Sequence, residues 1–373
     1  MPRTKRILGN LLLSIAMTAI ALLGAEFAWR QIFENGDVSR EFNEKLRFVN
    51  PPNAEWVIRT KDYRTHIRTN SLGFRGPEMP AEQKGEELRV LFLGDSFVEA
   101  KQVEEEERFA ERTGALLAAK LGKSVVTRAL AMGGSNPALE LLYYREIGRE
   151  FAPDIVVQVL FPENDLLPME GPYTFRTESG DLMLENIWVE PAPPCPWKCE
   201  MLKRNSILRA LYHSLRRKEN RETTDPRQLG DYYWYTNEGQ DVLKRENRWE
   251  VLQTLVNTLR GEVERDGGIF LTVLIPSGFE MQPAWQGEYL NESPLTRESW
   301  NINQLLSTAE NALHRESIPM LNLRDTFAGT VSDEDPLYYK SDPHLSLRGH
   351  EVAAQAIAQA ILQIATEMHR KET

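Results

Sequence analysis

The chain has 373 residues and a formal net charge of -11, with 27% charged and 41% hydrophobic residues. This length exceeds that of a typical single domain, so one large domain with appendages, or two domains, is expected. No basic stripe is present to neutralise phosphates, which excludes nucleic acid as a partner. The sequence carries no signal for a metal or an organic cofactor and does not specify an oligomeric state.

The N-terminus has the pattern of a membrane segment. Arg3, Lys5 and Arg6 precede the uncharged run Ile7–Ala25. A helix of that length spans about 28 Å, close to the hydrocarbon thickness of a bilayer. The pattern predicts an uncleaved anchor within residues 1–29, with the basic end in the cytosol and the rest of the chain exported. A cleaved signal peptide is the alternative.

Two cysteines fit an exported protein. Cys195 and Cys199 lie in a proline-rich stretch, and an oxidising compartment favours a disulfide between them. Two thiolates without a nearby histidine pair do not make a zinc site. Two unpaired thiols in a surface loop are the alternative.

Residues 30–87 are predicted to be a linker with short strands. Alternating apolar residues predict strands at 56–60 and 65–69, after a polar stretch that contains two consecutive prolines. A turn-rich segment, 70–78, then leads to the first core strand. We interpret its arginine as part of a structural turn, with binding of an anionic substrate as the alternative.

From residue 88 to about 370, strands alternate with helices. The predicted strands are 88–93, 124–130, 154–160, 269–275 and 319–323, and the predicted helices are 103–121, 138–150, 245–265, 298–314 and 347–368. This alternation predicts a three-layer α/β domain with a mainly parallel sheet. Residues 168–244 interrupt it and are predicted to form an inserted lid. The aromatic run 232–235 offers either flat faces for sugar rings or a packing cluster.

Four loops are predicted to meet at one edge of this sheet, because the carboxyl ends of neighbouring parallel strands converge on one crevice. The loops carry, in chain order, Ser96, Gly133, Asn164, and Asp342 with His344. An early serine, with an aspartate and a histidine near the end of the chain, indicates a nucleophile and its general base. Each feature alone has a simpler explanation as a helix cap or a turn.

The order of these blocks, Gly-Asp-Ser, Gly, Asn-Asp and Asp-x-His, resembles the SGNH (GDSL) hydrolase family. The resemblance covers residues 88 to about 365 without most of the insertion, and the lead-in at 69–76 is similar to that of membrane-anchored bacterial members. It implies a flavodoxin-like SGNH hydrolase fold. The chain departs from the family in having Pro162 and Glu163 before Asn164, and in placing Asp342 two residues before the histidine rather than three.

The resemblance also implies a role for each matching residue. Ser96 would be the nucleophile and an oxyanion donor, His344 the general base, and Asp342 the residue that orients it. The backbone N–H of Gly133 and the side-chain amide of Asn164 would complete the oxyanion hole. The glycine at 134 is adjacent, so the sequence does not decide which of the two amides faces the site.

The implied function is that of an exported, membrane-anchored serine esterase. It would cleave an acyl ester, with acetyl as the first choice, from a cell-surface glycan or lipid. An O-acyltransferase of a surface polysaccharide could use the same Ser-His-Asp site. A non-catalytic scaffold or binding protein that kept the fold is the third alternative.

Overall fold

The structure is a computed structural model that describes residues 2–33, 38, 40–79, 85–166, 173–178, 181–187, 230–293, 295–332 and 334–372. The predicted disulfide between Cys195 and Cys199 lies outside these residues. Most of the predicted lid, 168–244, also lies outside them, so its covering role stays a prediction.

The described strands are β1 Glu41–Asn43, β2 Arg47–Val49, β3 Glu55–Arg59, β4 Arg64–Arg68, β5 Leu88–Gly94, β6 Val125–Ala131, β7 Ile155–Leu160, β8 Tyr173–Glu178, β9 Asp181–Ile187, β10 Ile269–Leu274 and β11 Met320–Asn322. The described helices are α1 Pro2–Phe33, α2 Ser96–Glu99, α3 Phe109–Leu121, α4 Pro137–Tyr143, α5 Pro162–Asp165, α6 Asn237–Arg245, α7 Arg248–Arg265, α8 Gly278–Met281, α9 Pro283–Glu292, α10 Gln304–Arg315, α11 Leu323–Ala328 and α12 Leu347–Glu372.

Five strands form one parallel sheet in the order β11-β10-β7-β5-β6. All six residues of β7 are buried. A strand in a parallel sheet is covered on both faces, which explains why these segments are near-continuous apolar runs. The predicted α/β fold with a parallel sheet is confirmed.

Helices cover both faces of this sheet. Along β5, Val90 and Phe92 enter the core that α3 and α12 build on one face. Leu91 and Leu93 enter the opposite core with α4, α7 and α10. Successive side chains of a strand point to opposite faces, so the apolar run 90–93 of β5 supports two cores, and the strand ends at Gly94 between them.

Three predicted helices differ from the structure at their ends. The helix expected at 103–121 begins only at Phe109, because 105–107 forms a separate turn of 3-10 helix. The helix expected at 138–150 passes into a π-helical turn at Tyr144–Gly148. The helix expected at 298–314 begins at Gln304, since Trp300 pairs with Thr236 in an isolated β-bridge.

The segment before the sheet folds into two antiparallel hairpins, β1–β2 and β3–β4. Arg75 follows them with only 2% of its surface exposed, and its guanidinium donates to the carbonyls of Ala100 and, at 2.6 Å, Val103. Burial lowers its pKa to about 9, with the charge of Arg108 acting in the same direction. These contacts fit the structural interpretation of Arg75 and leave it no surface for a substrate.

The described parts of the predicted anchor and lid give two results. Helix α1 covers the run Ile7–Ala25, but among the described residues no helix combines the length and apolarity needed to cross a membrane.

Tyr233 and Trp234 are each only 7% exposed and belong to the core. They form a packing cluster, and the alternative of open faces for sugar rings is wrong for these two side chains.

Arg75→Met should lower the free energy of unfolding by about 3 kcal/mol, because three buried carbonyls lose their donor while the side-chain volume is kept. The exposed Arg64 offers a matched control, and Arg64→Met should stay within about 0.5 kcal/mol of the unchanged protein. Denaturant unfolding of the three proteins measures both effects. Equal free energies of unfolding in all three proteins would show that the hydrogen bonds of Arg75 do not stabilise the fold.

Candidate active site

Ser96, His344 and Asp342 form one hydrogen-bonded chain. His344 Nε2 lies 2.7 Å from Ser96 Oγ, although 248 positions separate the two residues. His344 Nδ1 contacts Asp342 Oδ1, which also accepts the His344 backbone N–H at 3.2 Å. The imidazole packs on Phe97, with 4.9 Å between ring centroids. The ring is therefore held on both its nitrogens and one face.

Asp342 is held by two further donors that the sequence did not indicate. The Tyr63 hydroxyl donates to its Oδ2 at 2.5 Å, and the Gln102 side-chain amide does so at 3.1 Å. Burial alone would raise the pKa of Asp342, but His344, Tyr63 and Gln102 outweigh it and hold that pKa well below its usual range. Asp342 is therefore a carboxylate whose orientation is fixed from two sides.

Ser96, the predicted nucleophile, is the first residue of the short helix α2, and the preceding residue caps that helix. Asp95 is 1% exposed, and its Oδ1 accepts the backbone N–H of Phe97 at 2.8 Å, which is the N-cap arrangement of α2. Its Oδ2 accepts the side-chain N–H of Asn164 at 2.6 Å. Asp95 is thus both a cap and the link that fixes the loop after β7 beside the nucleophile.

Three N–H groups around Ser96 have no acceptor within the part of the chain that the structure describes. They are the backbone N–H groups of Ser96 and Gly134 and the second hydrogen of the Asn164 amide. Groups of this kind, aimed at a developing negative charge, make an oxyanion hole.

Gly133 is placed beside the nucleophile but its N–H is already used. A Cβ added to Gly133 would lie 3.4 Å from the Ser96 Cβ. Its N–H donates to Glu99 Oε2 at 2.7 Å. Gly134 has a φ of +75° and closes a turn in which the Ser135 N–H donates to the Met132 carbonyl. The geometry therefore favours Gly134 over the predicted Gly133 as the free donor of this loop.

Two more buried carboxyls lie behind the loops. Glu140 Oε2 accepts from Gln158 at 2.7 Å, and Asp165 Oδ2 accepts the Phe161 N–H at 2.6 Å. Burial, with the charge of Asp95 adding to it, raises the pKa of Glu140 to about 8. Burial and the charges of Glu140 and Asp95 raise the pKa of Asp165 well above its usual range. Both carboxyls are therefore easier to protonate than an exposed carboxyl.

Four residues that contact the candidate site were not predicted from the sequence. Tyr63 lies in the β3–β4 turn and Asn50 follows β2, whereas Gln102 and Glu99 follow the nucleophile closely. Nothing in the spacing of Tyr63 points to a partner 279 positions away. Within the described ranges, no group of three or more histidines, cysteines or acids is arranged around a metal-sized space.

A family model described as an SGNH hydrolase-like domain of acetyltransferase AlgX matches residues 228–373. The match contains Asp342 and His344 and leaves Ser96 and Asn164 outside. Over residues 228–373 it agrees with the SGNH hydrolase-like domain that the sequence blocks predicted. The match supports an SGNH-type hydrolase or acyltransferase.

Other comparisons find only distant similarity. No curated protein sequence matches the chain. A lipase from a goat rumen metagenome has 14% identity over 73% of this chain and 97% of its own, with a TM-score of 0.41. A GDSL-like lipase from Bacteroides thetaiotaomicron has 15% identity, coverages of 76% and 93%, and a TM-score of 0.38. An acetyl xylan esterase has 12% identity, coverages of 74% and 100%, and a TM-score of 0.40.

Glu140→Gln should remove a pH dependence from the stability of the protein. With a folded pKa of about 8 and an unfolded value near 4.5, the folded state binds more protons between these two values. Stability is therefore full below the unfolded value and falls as pH rises toward 8, by up to about 1.4 kcal/mol per pH unit. The difference in free energy of unfolding between the variant and the unchanged protein should grow across this window.

The exposed Glu150 provides the control, since Glu150→Gln should leave that difference flat. Denaturant unfolding at pH 5, 6, 7 and 8 measures all three proteins. If the Glu140→Gln difference is also flat, the Glu140 carboxyl is ionised when folded.

Proposed function

We propose that this protein is a serine esterase that cleaves an acyl ester, with acetyl as the acyl group, from a cell-surface glycan or lipid. The observation that carries the proposal is the 2.7 Å contact between Ser96 Oγ and His344 Nε2, continued to the Asp342 carboxylate. A serine hydroxyl is a poor nucleophile at its free pKa and needs an adjacent base of this kind.

The proposed reaction follows from these positions. Ser96 Oγ bonds to the ester carbonyl carbon while its proton passes to His344 Nε2, and the carbonyl electron pair moves onto the oxygen. The free N–H groups of Ser96, Gly134 and Asn164 stabilise that oxyanion. Collapse breaks the bond to the alcohol, which leaves with the proton from Nε2. Water then releases the acyl group from Ser96 by the same steps.

An O-acyltransferase is the second candidate, and the matched family description favours it because it names an acetyltransferase. In that reaction a sugar hydroxyl replaces water in the second step, and the same three side chains act. The two candidates differ only in which hydroxyl attacks the acyl-Ser96 carbonyl. Incubating the enzyme with an aryl acetate and an oligosaccharide, and comparing free acetate with acetylated sugar, separates them.

We further propose that the enzyme is exported and held at the membrane by its N-terminal helix. The basic cluster before an uncharged run supports this proposal. Leu13, Met17, Ile20 and Leu23 of α1 are each at least 60% exposed, which leaves a large apolar surface uncovered by the rest of the chain.

Ser96→Ala and His344→Ala should each lower kcat on a small aryl acetate by about 10⁶-fold, and Asp342→Asn by about 10⁴-fold, because the latter keeps the base itself. A fluorophosphonate probe should label the unchanged protein at Ser96 only. The exposed Ser124 and His314 are matched controls, and their alanine variants should keep full activity. A folded Ser96→Ala protein that retains most of its turnover would contradict the assignment.

An alkaline phosphatase fused after residue 40 should be active, because the helix before it is expected to place that point outside the cytoplasmic membrane. Deleting residues 1–29 from the fusion should abolish the signal and serves as the control. The fusion should also sediment with membranes. A fluorescent protein that folds only in the cytosol, fused at the same point, should give no signal. Fluorescence from that fusion would contradict export.

A further inference from the structure

One buried carboxylate beside the nucleophile has no place in the proton chain. Glu99 ends α2, three residues after Ser96, and its side chain is 1% exposed. Its Oε2 accepts the Gly133 N–H at 2.7 Å. Its Oε1 accepts the Asn50 side-chain amide at 2.9 Å and lies 3.2 Å from Lys101 Nζ. Both oxygens are therefore fully engaged.

This carboxylate is charged. Burial alone would raise the pKa of Glu99, but the positive charges of Lys101 and Arg40, with the hydrogen bonds from Asn50 and Gly133, outweigh it and lower that pKa. An ionised carboxylate taken out of water is costly unless its oxygens are paired. Lys101, from the same stretch of chain, and Asn50 and Gly133, from two other segments, meet this requirement. The carboxylate therefore keeps those two segments beside α2.

The Gly133 contact is the one with a catalytic consequence. Gly133 and Gly134 form the tip of a turn between Met132 and Ser135. The Gly133 N–H on Glu99 and the Ser135 N–H on the Met132 carbonyl hold the two ends of this turn. The peptide between them carries the N–H of Gly134, whose φ is +75°. That N–H is one of the three groups left without an acceptor around Ser96, within the described residues.

We propose that Glu99 is a positioning residue for the oxyanion hole. Its carboxylate clamps the loop after β6 to the nucleophile helix and holds the Gly134 N–H in place for the developing negative charge. This inference rests on the proposed esterase function. Glu99 does not touch the proton chain, so its loss acts on the transition state through the loop and leaves the general base intact.

Glu99→Ala should lower kcat on a small aryl acetate by about 10²-fold, the effect of losing one preorganised oxyanion donor, with KM within threefold. Glu99→Gln keeps an acceptor for the Gly133 N–H but loses the charge that Lys101 requires. We expect its kcat to fall about tenfold, which makes it the partial rescue. The rate of fluorophosphonate labelling of Ser96 should fall in parallel with kcat in both variants.

Glu262 provides the matched control for a buried carboxylate in another part of the fold. It is 5% exposed on α7 and pairs with Arg145 at 2.5 Å and Arg149 at 2.7 Å. Glu262→Gln should lower the melting temperature and leave kcat unchanged. This separates an effect on the oxyanion loop from general destabilisation.

Three results would overturn the inference. They are a kcat within threefold of the unchanged protein in Glu99→Ala, a loss confined to KM, or an equal loss of kcat in Glu262→Gln. If Glu99→Ala does not fold, an unchanged kcat in Glu99→Gln has the same meaning. Failure of the esterase proposal is a different result, because the unchanged protein would then neither turn over the aryl acetate nor be labelled at Ser96.

Discussion

The site depends on the burial of two carboxylates on either side of the nucleophile. Asp95 and Glu99 bracket Ser96 and are each 1% exposed. A buried carboxylate must have its oxygens hydrogen-bonded or it destabilises the fold. Asp95 meets this need with the loop that carries Asn164, and Glu99 meets it with the loop that carries Gly133. The need to hydrogen-bond these buried carboxyl oxygens thus holds two of the predicted site loops around one short helix.

The segment before the sheet, residues 40–79, also contributes contacts to the candidate site. Asn50 donates to Glu99, the Tyr63 hydroxyl donates to Asp342, and Asp62 accepts the backbone N–H of Ser341 at 3.1 Å. The first contact lies beside Ser96 and the other two lie at Asp342 and its neighbour Ser341, so they reach both ends of the hydrogen-bonded series from Ser96 to Asp342. Two contacts from the segment predicted as a linker therefore hold the loop of His344, and a fragment starting at residue 88 would lack both of them and the Asn50 contact to Glu99.

The sequence predicted the parts of the fold that periodic patterns encode. The five sheet strands were predicted within one residue at each end. The three central strands, β5, β7 and β10, are mostly buried apolar runs, which give the strongest signal. The β1–β2 hairpin was missed, since its three-residue strands are too short for a periodic signal. Helix boundaries failed where a tertiary contact decided them, as at Trp300.

The sequence predicted the candidate site only where the order of strands in the sheet determines which residues lie close together. Parallel strands bring the ends of β5, β6 and β7 to one edge, which brought Ser96 close to Gly133 and Asn164. The choice between Gly133 and Gly134 depends on Glu99, and the support of Asp342 depends on Tyr63. Both are single long-range hydrogen bonds, which leave no pattern in one sequence.

The choice between hydrolysis and transfer does not require different catalytic groups. In both reactions His344 removes a proton from an attacking hydroxyl, and the same N–H groups stabilise the oxyanion. A sugar hydroxyl held against the acyl-Ser96 carbonyl gains an effective concentration of about 10⁵ M or more over free solution, which is enough for it to compete with water. For the proposed reactions, the outcome is therefore set by whether an acceptor sugar binds beside Ser96. That property belongs to the surface around the catalytic loops, so two proteins with the same Ser96, His344 and Asp342 arrangement can differ in reaction class.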